Sequence, residues 1–304
     1  MKDSARKYVV VVLGPTAVGK SACGIRLSQT FGGEIISADS RQFYRGISIG
    51  TAKPSEAELG AVPHHFVDSL ALTENYTAGH FEKDALEIIT NLHAEHKLPV
   101  VVGGSGLYIK ALLEGLDSLP ANEEVREEIA VLFLKDGLEG LQEEVKKRDP
   151  EYFRKVDQNN HVRLIRALEI LRSTGESMAT NQLAKPKTRP FHAIKIGLDL
   201  DRETLYQRIN ARVDQMIRDG LIEEARSVLA HRHVQALQTV GYQELFAHFD
   251  GETDLATAIE LIKRNSRRYA KRQLTWLRKE QAVNWFPCAD HKAIDHFVEN
   301  QFAE

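Results

Sequence analysis

The run from Val9 to Leu13 is apolar without interruption and mostly β-branched, the pattern of a strand buried on both faces. It stops at Gly14, and the next patterned stretch, SACGIRLSQTF from Ser21, has helical spacing and closes at Gly32-Gly33. A second short strand is expected from Glu34 to Ala38, ending in Asp39-Ser40-Arg41-Gln42. The stretch FYRGISIGTAKPSEAE reads as an ordered loop, and Pro63 to Asp68 as a short strand or turn. From Tyr76 to Lys97 apolar positions recur at helical spacing, with Phe81, Ala85, Ile88, Ile89 and Leu92 on one face. Pro99 opens a third apolar strand, Val100 to Val102, which ends in Gly103-Gly104-Ser105-Gly106 before the helical LYIKALLEGL. Strand, glycine-rich turn and helix therefore occur twice, with the strand carrying Asp39 between them. That order predicts an α/β fold: a P-loop-type parallel sheet flanked by helices.

From about Ala121 to Pro190 the β-branched runs vanish. Charged helical patterns replace them: EEVREEIAVLF, GLEGLQEEVKKRD and NNHVRLIRALEILRSTG. A strand pattern returns at Ala193 to Leu200, and Arg202 to about Trp276 is again helical. The expected organisation is a core of residues 1–120 and 191–304, including the C-terminal helices, with an all-helical insertion at 121–190.

Composition narrows this little. The 304 residues are 42% hydrophobic and 27% charged, ordinary globular values. The net charge of −3 gives no pointer to a nucleic-acid partner, so any such surface must be local. Cys23 and Cys288 lie far apart and outside any metal-ligand spacing, which suggests a reduced intracellular protein. Cys23, inside the first helix, reads as a small buried hydrophobe. The N-terminal apolar run is too short for a membrane span and flows directly into the next motif, so a cytoplasmic protein without a membrane partner is expected, and a monomer.

The chemistry begins at Gly14, Pro15, Thr16, Ala17, Val18, Gly19, Lys20 and Ser21, which fit G-x-x-x-x-G-K-[ST]. A strand delivers the chain to a turn whose N–H groups converge on phosphate oxygens, and the helix behind it points its positive end at the same anion. Lys20 adds a point charge, and the Ser21 hydroxyl is a candidate Mg²⁺ ligand. The expected ligand is a polyphosphate or pyrophosphate. Asp39, at a strand end, admits three readings: a Mg²⁺ ligand, a helix N-cap, or a general base acting on a nucleophile that approaches the phosphate site. No apolar strand ends in the Asp-Glu pair usual for a hydrolytic ATPase. The second turn, GGSG, instead offers close backbone approach and a hydroxyl at Ser105, which favours a transferase over a motor ATPase.

Arg208 and Arg212 lie four apart and share a helix face. Each is either a solvated charge or a guanidinium aimed at phosphate. IELIKRNSRRYAKRQLTWLRK concentrates cations on one helix, with Ile262, Tyr269 and Trp276 as its apolar seam. That density, in a mildly acidic chain, favours a phosphate-backbone surface over a merely solvated face. Adjacent His64 and His65 point to opposite sides of an extended segment, so structural roles are expected. VGYQE, Val240 to Glu244, reads as a turn.

Together, GPTAVGKS, SADSRQFYRGISIGTAKP, PHHFVD, VVGGSGLYIKALLEGL, RLIRALEI, TVGYQE and YAKRQLTWLRK resemble the tRNA dimethylallyltransferases, also called tRNA isopentenyltransferases or the IPP transferase family. The resemblance runs in the family's order to about Trp285. It implies transfer of the dimethylallyl group from dimethylallyl diphosphate, with Mg²⁺, to the exocyclic amine of the adenine 3′ to the anticodon. Asp39 is then the general base, and Lys20, Ser21, Ser105 and Arg212 correspond to positions on the diphosphate and its Mg²⁺. The resemblance places Ser40, Arg41 and Gln42 at the flipped-out adenine. Arg126, Val162, Arg163, Leu164, Ile165 and Arg166 match tRNA-contacting segments, as do Gln238, Thr239, Val240, Gly241, Tyr242 and Gln243. The insertion would thus grip the anticodon stem-loop. One departure is Ser105, where many relatives carry threonine; the hydroxyl is kept. Three alternatives remain at this point: prenylation of free adenine nucleotides, a P-loop small-molecule kinase, and a nucleotide-regulated RNA-binding protein.

Overall fold

The computed structural model describes residues 7–116, 122–178 and 186–303. Strand β1 (Tyr8–Leu13) leads through the P-loop into α1 (Lys20–Phe31), which ends at Gly32 with φ 67°. Then come β2 (Gly33–Ser37), α2 (Glu56–Ala61), β3 (His64–His65), α3 (Ala78–Ala94), β4 (Leu98–Gly103) and α4 (Gly106–Glu114). Helix α2 corrects the expectation of a loop running through Glu58. Ser55 accepts the Glu58 N–H while Glu58 reaches back to the Ser55 N–H, and this capping box starts a helix.

The next segment is wholly helical: α5 (Glu123–Arg148), α6 (Pro150–Lys155) and α7 (His161–Thr174). The two helices expected before Asp149 join end to end, with Gly137 at φ 63°, ψ −154° breaking the helical backbone between them. Gly115–Lys187 forms a compact unit of its own around Ile129, Leu141, Val145, Tyr152, Leu164 and Leu168. The expected start of the insertion, Ala121, lies outside the described residues, as do residues 1–6. Pro190, its expected end, belongs to the sheet unit, which resumes at Thr188.

The sheet unit continues with β5 (His192–Asp199), α8 (Arg202–Arg218), α9 (Leu221–Ser227) and two short 3-10 turns. It ends with α10 (Tyr242–Phe249), α11 (Leu255–Leu277), β6 (Val283–Pro287) and α12 (His291–Ala303). VGYQE is therefore more than a turn. Gly241, at φ 101°, precedes α10, and Glu244 accepts the Gly241 N–H to hold that start. Strand β6 and helix α12 extend the sheet unit beyond the elements the sequence pattern predicts.

All pairings are parallel, in the order β3-β2-β4-β1-β5-β6. Along β1, Val9, Val11 and Leu13 pack into one hydrophobic layer while Val10 and Val12 pack into the other. Burial on both faces is why the strand carries no polar alternation. The first layer holds α3, α4 and the side chains of Leu237, Tyr242 and Leu245; the second holds Leu27 of α1, Ile209 of α8 and Ile294 of α12. Cys23 is buried in the second layer and unbridged. His64 and His65 serve the sheet edge: His65 Nε2 lies 2.8 Å from Glu34, and His64 Nδ1 lies 2.8 Å from the Val62 carbonyl. Among the described residues no helix is long and apolar enough to cross a membrane.

Candidate active site

The two central strands, β1 and β4, deliver their glycine-rich turns to the same edge of the sheet. Gly14 has no room for a side chain, since a Cβ there would lie 2.8 Å from Val18 and 3.1 Å from the Leu198 carbonyl. Ala17 and Gly19 both have positive φ, 65° and 105°. Among the described residues no side chain caps α1, which leaves its first-turn N–H groups to a ligand. Lys20 Nζ donates to the Pro15 carbonyl at 2.8 Å, folding back over the loop. Burial pulls its ammonium down to about 8; Arg212 adds to that shift and Asp39 opposes it. Arg212, from α8, donates to Thr16 Oγ1 at 3.3 Å, and burial lowers its pKa against the pull of Asp39. Two cations and one carboxylate thus share one desolvated place. Such crowding of like charge is relieved by an anion.

Asp39 heads a short turn: its Oδ1 accepts the Arg41 N–H at 3.0 Å. Ser105, from the second glycine turn, holds that turn by accepting the Ser40 N–H at 3.1 Å, and its hydroxyl lies 3.4 Å from that of Ser40. Gln42 is occupied structurally. It accepts from Ser37 Oγ at 3.1 Å and donates to the carbonyls of Thr51 and Ala52 at 3.3 and 3.0 Å. Asp39 also acts on Tyr269, whose phenol is pushed up to about 12, chiefly by desolvation.

Thr16, Asp39, Arg41, Arg212 and Tyr269 border a cavity of about 110 Å³. Its polar lining includes Thr16, Asp39, Arg41 and Arg212, and its apolar lining Ile209, Val213, Met216, Leu221 and Ile262. Among the described residues no group of three or more His, Cys, Asp or Glu forms a metal cage. The oxygen donors at the P-loop, the exposed Ser21 hydroxyl foremost, suit a Mg²⁺ that keeps water and shares a ligand's phosphate oxygens.

The family model described as IPP transferase matches residues 42–280, most of the chain. The chain belongs to the IPP transferase family. It is 48% identical over 296 residues to the tRNA dimethylallyltransferase of Christiangramia forsetii, covering 97% of this chain and 98% of that one. It is 46% identical over 299 residues to that of Cytophaga hutchinsonii, covering 98% of each. Among solved structures, the tRNA isopentenylpyrophosphate transferase of Bacillus halodurans superposes with a TM-score of 0.73 at 38% identity, covering 98% of this chain and 97% of that one. A eukaryotic dimethylallyltransferase acting on tRNA superposes with a TM-score of 0.79 at 27% identity, covering 97% of this chain and 77% of that one.

Two positions in this family member escaped the sequence reading. Gln273 of α11 is buried; its Oε1 accepts the Thr16 N–H at 2.9 Å and its Nε2 donates to the Gly104 carbonyl at 3.0 Å. One amide thus fastens the P-loop to the second glycine turn. At Gly104 a Cβ would fall 2.2 Å from that same amide nitrogen, so a side chain there would displace the Gln273 amide. Glu224 of α9 is the other. It accepts the N–H groups of Ser48, Ile49 and Gly50 at 2.7, 2.8 and 2.8 Å, and the Tyr242 hydroxyl at 2.6 Å. This fixes the segment whose Gly50, Thr51 and Ala52 wall the cavity.

The segments matched to tRNA contact divide by exposure. Thr239, Val240 and Gly241 line the cavity, Gln238 and Gln243 are exposed and bonded to each other at 2.8 Å, and Tyr242 is wholly buried. In the helical unit Val162 and Arg163 are exposed, Leu164 is wholly buried, and Ile165 packs against the local core. Arg126 and Arg166 meet on the buried carboxylate of Glu169, each at 2.7 Å. Arg208 turns away from the P-loop to the sulfur of Cys288, at 3.7 Å. On α11, Arg267 donates to Asn210 at 2.6 Å and Lys263 pairs with Asp214 at 2.7 Å, while Arg264, Arg268, Lys271 and Arg272 are exposed.

Proposed function

We propose that this protein transfers the dimethylallyl group of dimethylallyl diphosphate to the exocyclic amine of the adenine 3′ to the anticodon of tRNA. The single observation that carries the reading is one cavity lined by both charged and apolar side chains beside the P-loop. Arg212, bonded to Thr16 of the P-loop, suits a diphosphate, and the apolar lining suits a short hydrocarbon.

The diphosphate lies on the uncapped N-terminus of α1, with Lys20 and Arg212 beside it. Ser21 would hold Mg²⁺, which would supply charge neutralisation for the diphosphate. The adenine leaves the loop's stack to reach the buried donor. Its amine nitrogen attacks the allylic carbon, the carbon–oxygen bond breaks, and the diphosphate departs with the electron pair. Asp39 takes the proton released from nitrogen. Lys20, Arg212 and the loop N–H groups stabilise charge on the leaving group, and the developing charge is greatest there. Ser105 positions Asp39 by tying down Ser40.

Ser40 and Arg41 stand at the adenine's entry, with Gln42 bracing that turn. Thr239, Val240 and Gly241, which line the same cavity, join them, flanked by Gln238 and Gln243. In the helical unit Arg126, Val162, Arg163 and Arg166 supply RNA contacts. The buried Leu164 and Tyr242, and the packed Ile165, hold their neighbours in place instead of touching RNA. Diphosphate release tests the scheme: it should require the anticodon stem-loop. Release that proceeds equally without RNA would defeat it.

A further inference from the structure

The C-terminal ends of β5 and β6 open onto a second, larger cavity, of about 650 Å³, that the transfer chemistry leaves unused. Ligands of open α/β sheets bind at this edge, and the volume is that of a small-ligand pocket. Much of its lining is apolar and aromatic: Leu205 and Tyr206 of α8, Leu274 of α11, and Trp285 and Phe286 of β6. Arg202, Lys271 and Arg278 stand around it. Two carboxylates also line it, but each is committed. Asp201 caps α8 by accepting the Thr204 N–H at 2.9 Å, and Asp199 faces Arg278 at 3.6 Å. Lys271 and Arg202 remain as its cationic lip, with the Arg202 guanidinium 5.1 Å above the Tyr206 ring.

Helix α11 joins this cavity to the transfer site. Its inward side gives Gln273 to the P-loop and Ile262, Ser266 and Tyr269 to the transfer cavity. Its outward side carries the exposed Arg264, Arg268, Lys271 and Arg272, whose three- and four-residue spacings make one stripe. Lys271 belongs to both the stripe and the cavity wall. A basic track leading into an aromatic recess is how single-stranded nucleic acid is held: phosphates on the cations, a base against the rings.

We propose that this cavity takes an unpaired nucleotide of the RNA substrate, its base against Tyr206 and Phe286 and its phosphate at Lys271 and Arg202. This rests on the reading of the substrate as tRNA. Two variants of the full chain test it. Arg202→Glu with Lys271→Glu reverses the lip. Thr275→Trp fills the cavity from an exposed position whose hydroxyl only bonds its own helix, at Lys271 O. Each should weaken equilibrium binding of an anticodon stem-loop RNA about tenfold, and the charge reversal should also flatten its salt dependence. The KM for dimethylallyl diphosphate and the thermal melt should stay as in the wild type. Unchanged RNA binding by both variants would overturn the proposal. So would AMP, used as a probe, binding here without displacing RNA, since the site would then be one for free nucleotides. The binding assay needs no turnover. A wild type that binds RNA but transfers nothing would refute the activity and leave this cavity's role standing.

Discussion

Tyr242 donates a 2.6 Å hydrogen bond to Oε1 of Glu224, from a ring with no exposed surface. The bond is a strut between α9 and α10, and the carboxylate's remaining capacity holds Ser48, Ile49 and Gly50. Burial, and then the carboxylate beside it, push the phenol's pKa upward, so it stays a donor at any physiological pH. Gly50 packs so closely that a Cβ there would sit 2.6 Å from the ring. Tyr242→Phe removes one bond and leaves Glu224 three others. It should cost about 1 kcal/mol in urea unfolding, whereas Glu224→Ala, which orphans three amides, should cost about 3 kcal/mol or more.

Gln273 couples the two glycine turns, so its loss should act on donor binding before it acts on RNA. Gln273→Leu leaves the Thr16 N–H and the Gly104 carbonyl unpaired. Steady-state kinetics should show kcat/KM for dimethylallyl diphosphate falling about tenfold to a hundredfold, with RNA affinity unchanged.

Asp39→Ala should slow the chemical step about a hundredfold or more, because proton removal from the amine loses its acceptor. Tight RNA binding should survive. Single-turnover kinetics with pre-bound RNA separates the two, and an unchanged rate would remove Asp39 from the base role.

Lys20 makes donor affinity pH-dependent. Its ammonium, pulled down to about 8 by burial, is mostly charged at pH 7 and mostly neutral at pH 9. The donor's KM should be flat below pH 7 and climb toward tenfold per unit above pH 8, an effect lost in Lys20→Arg. The sign for stability is the opposite. Between about 8 and the ordinary 10.5 the unfolded chain keeps this proton and the folded one does not, so Lys20's contribution favours the folded state increasingly as pH rises.

What the sequence revealed depended on how local the cause was. The β1 run and the P-loop were legible because two-sided burial and phosphate binding each impose a pattern on consecutive residues. Helix α2 carried a readable signal in the Ser55–Glu58 capping box, hidden inside a polar stretch. Strand β6 was not legible: it is a short edge strand, half exposed, with Asn284 and Pro287 interrupting any apolar run. The VGYQE segment hid its meaning because Tyr242 matters through Glu224 on another helix. Gln273 was opaque for the same reason, since its partner Thr16 lies 257 positions away. Residues that hold a site together through tertiary contacts leave no periodic trace.

Mass spectrometry of an anticodon stem-loop RNA, incubated with the protein, dimethylallyl diphosphate and Mg²⁺ and then digested to nucleosides, tests the central assignment most directly. The prediction is a gain of one dimethylallyl group on the adenosine 3′ to the anticodon, with one diphosphate released for each. RNA recovered unmodified by a folded protein, with ATP consumed on a small metabolite instead, would contradict it.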